Sequence, residues 1–274
     1  MAELIKSEWE RLWLKKSTWL CFSAIPFMVY AAISYYTKKN MVISQTSPEY
    51  TNFLNFPVAA LQEQLISAVN VFLILFVVLS ITEEYRSGQL RMVMIRRYNI
   101  REILSAKYIV ILTAMFLFLL CYFIFSFIEG YIFLPKNNTT RFFFREDIFL
   151  AKDAVIYCLK YYLLAFATMI AVASMCIFVS LISRSTTVAV GANIAIVLFL
   201  AMGTEIVKIF AQILGCAPPA KIMFSSIIHI QYKGIYFLLS GSKLNLWIMF
   251  IILVYTAVFS MFSYLYLRRK DSFM

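Results

Sequence analysis

Residues 83–107 read EEYRSGQLRMVMIRRYNIREILSAK and stand between two long apolar runs. This stretch holds six of the 25 Lys and Arg residues of the chain. A charged segment of this length between two membrane spans has to lie in water, and its density of arginine predicts the cytoplasmic side. It is therefore the part of the chain that we expect to contact a soluble partner.

The composition indicates an integral membrane protein. Of the 274 residues, 62% are hydrophobic and only 14% are charged, with a mean hydropathy of +0.82, whereas a soluble domain carries about 25% charged residues. The net charge of +11 is not read as nucleic-acid binding, because the basic residues flank apolar runs, where membrane topology and anionic lipid headgroups explain them. We expect a lipid bilayer around the chain and no nucleic-acid partner.

Six apolar runs approach the roughly 20 residues that a helix needs to cross a bilayer. The predicted spans are approximately 18–36, 64–82, 108–128, 155–182, 187–203 and 246–267. An even number of spans places both termini on one side, and the basic run that follows Leu267 predicts that this side is the cytoplasm. The predicted fold class is an all-α membrane domain of six transmembrane helices over residues 18–274.

Two further segments do not fit a simple span. In residues 1–17 the residues Ala2, Ile5, Trp9, Leu12 and Trp13 fall on one helical face, which predicts an amphipathic elbow helix in the membrane interface.

Residues 204–245 are mostly apolar but are broken by Gly215 and Pro218. They predict two short helices on the outer side, at about 205–214 and 222–239, which are either re-entrant or interfacial and precede the last span. Such broken backbone has to be buried by protein.

The charged stretch also contains local structural signals. Asn99 followed by Glu102 is a capping box, which predicts a helix that starts at Ile100 and continues through Lys107 into the third span. Gly88 allows a tight turn after the second span, because glycine carries no steric penalty at positive φ. Residues 88–97 predict a short helix on the cytoplasmic surface.

No catalytic set is present in the sequence, so we do not expect an enzyme. HExxH, GxSxG and nucleotide-binding loop patterns are all missing, and these are the arrangements that metal-assisted, serine-based and phosphate chemistry use. The one histidine and the five cysteines, which include no CxxC pair, give no metal-binding pattern. The prediction is that this chain holds no cofactor and no metal.

A few polar residues lie inside the predicted spans. The candidates for a translocation path are Asn70, Thr168, Ser174 and Asn193. The alternative for each is a hydrogen bond between helices, since a polar group in lipid needs a partner. A stripe of small residues, Thr187, Gly191 and Ala195, predicts a close helix contact, either within one subunit or between two.

At this point the residues resemble a known family, the type-2 permease subunits of ATP-binding-cassette (ABC) exporters. The resemblance is carried by Glu84 followed by Gly88, then by Arg101 and Lys107 at the entry to the third span. The elbow segment, the short turn at 183–186 and the segment 204–245 follow the family's order. The resemblance therefore covers nearly the whole chain.

The resemblance implies a division of labour. A dimer of cytosolic ATPase subunits would bind ATP and Mg²⁺, and a second permease copy or a paralogous permease would complete the pathway. The loop 83–107 and the elbow helix would meet the ATPases, because arginine and glutamate can form charge-assisted hydrogen bonds there. The residues predicted to couple ATPase and permease are Glu83, Glu84, Arg86, Gly88, Arg91, Arg96, Arg97 and Arg101.

The expected function is outward transport of a hydrophobic or amphipathic cargo, such as a peptide, bacteriocin, drug or lipid, across a bacterial plasma membrane. Spans rich in Phe and Met offer an adaptable apolar surface for such a cargo, and export of, or protection against, an antimicrobial peptide is one form of it. The competing hypothesis is a stand-alone membrane enzyme or sensor that works without an ATPase. A channel is disfavoured by the scarcity of charge inside the spans.

Overall fold

The computed structural model describes residues 1–44, 47, 49–86, 100–142, 147–216 and 218–271. The helices in these ranges, numbered in chain order, are α1 (Ala2–Leu14), α2 (Lys16–Asn40), α3 (Phe56–Gln64), α4 (Asn70–Arg86), α5 (Ile100–Phe133), α6 (Ala151–Ile182), α7 (Thr186–Ile213), α8 (Ala220–Met223), α9 (Ile227–His229), α10 (Ile235–Ser240) and α11 (Asn245–Asp271). Two π turns, Leu65–Val69 and Ile230–Gly234, join α3 to α4 and α9 to α10. Two short strands, β1 (Thr139–Thr140) and β2 (Phe149–Leu150), pair antiparallel.

Within the described ranges, six helical segments are long and apolar enough to cross a membrane, which confirms an all-α multi-pass membrane protein. These segments are Lys16–Asn40, Phe56–Thr82, Glu102–Phe133, Ala151–Ile182, Thr186–Ile213 and Asn245–Arg268.

The bounds of two spans differ from the prediction. The second begins at Phe56 rather than near residue 64, because Pro57 stands in the first helical turn, where its missing N–H is tolerated. The fifth runs through Gly203 to Ile213 without a break, because one interior glycine costs only about 1 kcal/mol. The short helix predicted at 205–214 is therefore the end of a span and not a separate element.

Helix α6 forms the centre of the bundle. It packs against α4, α5, α7 and α11, and 67% of its apolar window is buried, compared with 17% for that of α7. Its buried small residues include Ala165, Ala171 and Ala173. Since lipid chains are as apolar as the helices, close van der Waals contact through such residues holds the bundle together.

The bundle has two distinct ends. At one end, the Lys15 ammonium donates a hydrogen bond of 2.5 Å to the carbonyl of Leu79 on α4, and the Thr82 hydroxyl donates one of 3.2 Å to the carbonyl of Ser180 on α6. We call this the loop end, because α4 ends and α5 begins there. The opposite end, which carries β1, β2 and the connection from α7 to α11, is called the far end.

Helix α1 folds back onto the bundle at the loop end. Lys15 adopts an extended conformation between α1 and α2, and the Thr18 hydroxyl donates a 2.6 Å hydrogen bond to the carbonyl of Leu12. The face of α1 that is buried carries Leu4, Glu8 and Leu12. Of the face predicted from the sequence, only Leu12 is fully buried, and Ile5, Trp9 and Trp13 are half-buried beside it.

Candidate functional site

A buried ion pair joins α1 to the base of α5. The Lys107 ammonium donates to a Glu8 carboxylate oxygen at 2.5 Å, and the two side chains are only 3% and 4% exposed. The Arg11 guanidinium donates to the other oxygen of Glu8 at 3.2 Å. We call Glu8, Arg11 and Lys107 the charged clamp. Because the pair is removed from water, breaking it by deleting one partner is costly.

The sequence indicates only one partner of the buried ion pair. Lys107 was predicted to enter the third span, but Glu8 was not singled out. The signal that could have found it is its spacing, since Glu8 lies four residues after Leu4 and four before Leu12 and so shares their helical face. A carboxylate on an apolar stripe requires a buried partner.

The predicted coupling residues precede Lys107 in the sequence, between Glu83 and Arg101. The helical ones lie in the final residues of α4 and the first turn of α5: Glu83, Glu84, Arg86 and Arg101. Those outside the described residues are Gly88, Arg91, Arg96 and Arg97, as are Asn99 and the predicted surface helix 88–97. The predicted helix start at Ile100 agrees with the first residue of α5.

Of the residues predicted to line a translocation path, one borders a cavity at the loop end. The hydroxyls of Ser174 and Tyr108 hydrogen-bond at 2.7 Å beside a cavity of about 280 Å³ between α5, α6 and α11. Thr168 donates within its own helix to the carbonyl of Ala165 at 2.7 Å. The Asn193 amide donates to the Ser180 hydroxyl at 3.1 Å, across α7 and α6.

The fourth of these residues, Asn70, belongs to a buried amide pair. Its amide donates to the Gln231 oxygen at 2.7 Å, and the Gln231 amide donates back to the Asn70 oxygen at 3.3 Å. The two side chains are 1% and 0% exposed. The reciprocal arrangement satisfies a donor and an acceptor on each amide.

The amide pair stands where the two π turns meet. Asn70 directly follows the turn Leu65–Val69, Gln231 lies inside the turn Ile230–Gly234, and the two turns contact each other. A π turn adds a residue to the helix and is frequent at functional positions. The pair therefore fixes two irregular segments from distant parts of the chain.

A polar cavity of about 330 Å³ opens above this junction toward the far end. Its walls come from the last turns of α2, from the segment before α3, from α3 itself and from the second π turn with α10. Near its floor the Tyr236 hydroxyl donates to the Gln62 amide oxygen at 2.6 Å, and the Tyr36 hydroxyl approaches the Glu63 carboxylate at 3.4 Å. We call this the far-end cavity.

The wall before α3 is held by a dense set of hydrogen bonds. The Asn40 amide donates to the Thr51 carbonyl at 2.6 Å and accepts from the Thr51 N–H at 3.0 Å. Asn52 and Asn55 each accept from the other's N–H, at 3.2 and 2.9 Å, and the Asn55 amide also donates to the Arg141 carbonyl at 3.1 Å. The cavity is therefore shaped before any ligand arrives.

His229 lies beside the second π turn, outside the six spans. Its ring is 5% exposed and packs 5.1 Å from the ring of Phe224. The pKa of His229 is lowered to about 4, mainly by burial and to a smaller extent by the nearby charges of Lys208 and Lys233, against a smaller opposing effect of Glu205. His229 is therefore neutral at neutral pH.

The depressed pKa of His229 predicts a loss of stability in acid. The denatured chain binds a proton at its ordinary pKa of about 6.5, whereas the native chain resists protonation until about pH 4. The free energy of unfolding should therefore fall, by more than about 1 kcal/mol, as the pH drops from 6.5 to 4. Unfolding curves of the wild type and His229→Gln in detergent test this, since the variant should lose this component of the pH dependence. Parallel curves for the two proteins would contradict it.

No group of three or more His, Cys, Asp or Glu side chains within the described residues is arranged to hold a metal ion. The family model for DUF2705 matches residues 22–273, which include most of the first span, the other five spans in full, Lys107, Asn70 and Gln231. The chain belongs to the DUF2705 family. This family is described as proteins of unknown function. No curated protein and no solved structure was found to match the chain.

Proposed function

We propose that this DUF2705 chain is the permease subunit of an ABC exporter in a bacterial plasma membrane, with both termini in the cytoplasm. Two cytosolic ATPase subunits would supply ATP hydrolysis, and this chain would supply the membrane path for a hydrophobic or amphipathic cargo. Antimicrobial peptides are one such cargo. The loop end would then be the cytoplasmic end and the far end the outer one.

The observation that carries this proposal is the charged clamp beside the basic loop. Lys107 holds Glu8 at 2.5 Å only about two helical turns beyond Ile100, where α5 begins. A partner that pushes on the loop 83–107 would therefore move α1 and α5 together as one rigid unit. Continuous helix from Ile100 to Phe133 carries such a tilt along the whole third span.

The segment between α7 and α11 supports the predicted re-entrant pair in a modified form. The Ser226 hydroxyl donates to the carbonyl of Leu200 at 2.9 Å, and Leu200 lies near the middle of α7. Gln231 likewise meets Asn70 near the middle of the second span. These two contacts support a re-entrant hairpin, in which the chain would descend from the end of α7 toward mid-bundle and rise again through α9 and α10.

Two features, an exposed face of α7 and the cavity at the loop end, are consistent with the proposed second permease and the proposed cargo. The outward face of α7 exposes Thr187, Gly191 and Ala195, and an added Cβ at Gly191 would meet no atom within 4 Å. This leaves the small-residue stripe available to a second permease. The cavity beside Tyr108 and Ser174 offers an apolar cargo a place at the loop end.

The test is affinity purification from native membranes in mild detergent, followed by mass spectrometry. We expect an ATPase with nucleotide-binding motifs in nearly equal amount. The variant Arg96→Glu/Arg97→Glu should lose most of this partner, because reversed charges repel the acidic groups that arginine would bind. A matched control is Arg184→Glu, which reverses an exposed charge in the turn 183–185 at the same end of the bundle.

Membrane topology has to be mapped in each variant, because loop arginines also set orientation. A preparation without any nucleotide-binding partner, even after crosslinking, would overturn the exporter proposal. If the Arg96→Glu/Arg97→Glu variant recovered as much ATPase as the wild type, the ATPase would not contact the chain through these two arginines.

A second candidate function is a sensor that works without an ATPase, and the far-end cavity is the observation that favours it. The cavity is polar, and its wall is held by hydrogen bonds that the Asn40 side chain accepts from Thr51 and the Asn55 side chain donates to Arg141, as expected of a preformed ligand site. A sensor would bind its ligand in purified form with no partner present. The same purification that tests the exporter therefore separates the two functions.

A further inference from the structure

The far-end cavity contains opposite charges that do not pair with each other. Glu63 on α3 is exposed to it, and the one described polar contact of its carboxylate is the Tyr36 hydroxyl at 3.4 Å. Lys233, on the second π turn, also lines the cavity, and its ammonium lies 5.8 Å from the ring centroid of Tyr232. Within the described part of the chain, neither Glu63 nor Lys233 forms an ion pair.

The other charged pair of the cavity is already matched. Lys39 lies 3.5 Å from the Glu49 carboxylate, so its charge is compensated at the rim. The cavity therefore retains one carboxylate, from Glu63, and one ammonium, from Lys233, with Arg141 also on the wall.

Glu63 and Lys233 are carried by two elements that one hydrogen bond joins. Gln62, adjacent to Glu63, accepts from Tyr236 at 2.6 Å, and Tyr236 lies one helical turn beyond Lys233. Both charged residues line the same cavity. A small zwitterion carries an ammonium and an anion in one molecule, so it can meet both charges from inside the cavity.

We propose that the far-end cavity binds a zwitterion, with its ammonium group at Glu63 and its carboxylate or phosphate group at Lys233. The cavity walls exclude part of the water, so both ion pairs would be stronger there than in bulk water. A cavity of about 330 Å³ is at the lower end of the size range of small-ligand pockets. The matching ligands are an amino acid or a peptide end, which carry a carboxylate, or a phospholipid headgroup, which carries a phosphate.

The structure also explains why the site would select a dipolar ligand over a single charge. A ligand with only an ammonium would leave Lys233 unpaired, and one with only an anion would leave Glu63 unpaired in a partly desolvated cavity. The hydrogen-bonded wall at Thr51 and Asn55 is ordered in advance, which lowers the entropic cost of binding. This inference does not depend on whether the chain is an exporter or a sensor.

The test is isothermal titration calorimetry on the full chain in a maltoside detergent. Such a detergent has no zwitterionic headgroup that could compete with the probes for the cavity. The probes are dialanine and phosphoethanolamine, with ethylamine, acetate and inorganic phosphate as single-charge controls. We expect at least one zwitterion to bind and each single-charge probe to bind at least about tenfold more weakly. Glu63→Gln and Lys233→Gln should each weaken the zwitterion about tenfold or more.

Glu205→Gln is the matched control, because Glu205 pairs with Lys208 on α7 at the same end of the bundle. It should leave binding unchanged. The charge-reversed variant Glu63→Lys/Lys233→Glu should recover part of the affinity, and this recovery separates a lost contact from a misfolded chain. Thermal unfolding of every variant confirms that the bundle is intact.

A preference for phosphoethanolamine would assign a lipid headgroup as the source of the ligand, and a preference for dialanine would assign a peptide or amino acid. Three results would overturn the proposal. They are the absence of binding by both zwitterions up to about 10 mM, equal binding of a single-charge probe, and unchanged affinity in folded Glu63→Gln and Lys233→Gln.

Discussion

Glu8→Leu is expected to lower the free energy of unfolding by about 3 kcal/mol, because it removes one partner of a buried ion pair. Lys107 would keep its buried position, 3% exposed, without the carboxylate that now lies at 2.5 Å. The substitution also removes one hydrogen-bond acceptor of Arg11. Titration with sodium dodecyl sulfate in mild detergent, followed by far-ultraviolet circular dichroism, measures the change.

The double variant Glu8→Leu/Lys107→Met separates the ion pair from simple packing. Removing both charges abolishes the cost of burying them, so the double variant should be more stable than Glu8→Leu alone. The double-mutant cycle should give a coupling energy of at least about 1 kcal/mol. Glu3→Leu is the control, because Glu3 is an exposed glutamate on the same helix and should change stability by less than about 0.5 kcal/mol.

Strictly additive effects of Glu8→Leu and Lys107→Met would show that the two side chains do not act as a pair. A stable Glu8→Leu variant would show that α1 is held by its apolar contacts at Leu4 and Leu12 alone. Either result would remove the physical basis for treating α1 and α5 as one unit. It would also weaken the exporter proposal, which uses that unit to transmit motion.

The sequence predicted the six spans because a run of about 20 apolar residues is a strong and local signal. It missed the start of the second span, since Pro57 reads as a helix breaker unless it stands in the first turn. That position depends on the hydrogen bonds between Asn52 and Asn55, which turn the chain just before α3. The sequence also predicted that the fifth span ends at Gly203, but the helix continues to Ile213, since one glycine does not end an apolar helix.

The candidate sites show where sequence reasoning reaches its limit. Glu8 and Lys107 are 99 residues apart, and Asn70 and Gln231 are 161 residues apart. A sequence pattern identifies a polar residue on an apolar face, but the partner is set by how distant helices pack. The start of α5 at Ile100 was predictable because a capping box is local.

Asn70→Leu is expected to lower the free energy of unfolding by about 1 to 2 kcal/mol. Gln231 is 0% exposed and would lose both hydrogen bonds of the reciprocal pair, and an unsatisfied buried amide costs about 1 to 3 kcal/mol. Hydrogen bonds between membrane helices average a smaller value of about 0.6 kcal/mol. Two bonds are lost here, so the expected effect exceeds that average.

Gln231→Leu should have a similar effect, whereas Asn70→Leu/Gln231→Leu should be nearly as stable as the wild type. Leucine is close in size to both amides, and replacing both partners removes the unsatisfied group. Gln212→Leu is the control, because Gln212 is an exposed amide on α7 and should change stability by less than about 0.5 kcal/mol. Additive losses in the double variant would contradict a paired role for the amides.

Hydrogen exchange would show what the amide pair holds in place. The pair fixes the π turn Ile230–Gly234, which also forms a wall of the far-end cavity. Asn70→Leu should therefore increase amide exchange in α9 and α10, while the centre of α6 stays protected because it packs mainly against other helices. Faster exchange throughout the bundle would instead mean that the pair contributes to global stability and does not specifically hold the hairpin at the cavity.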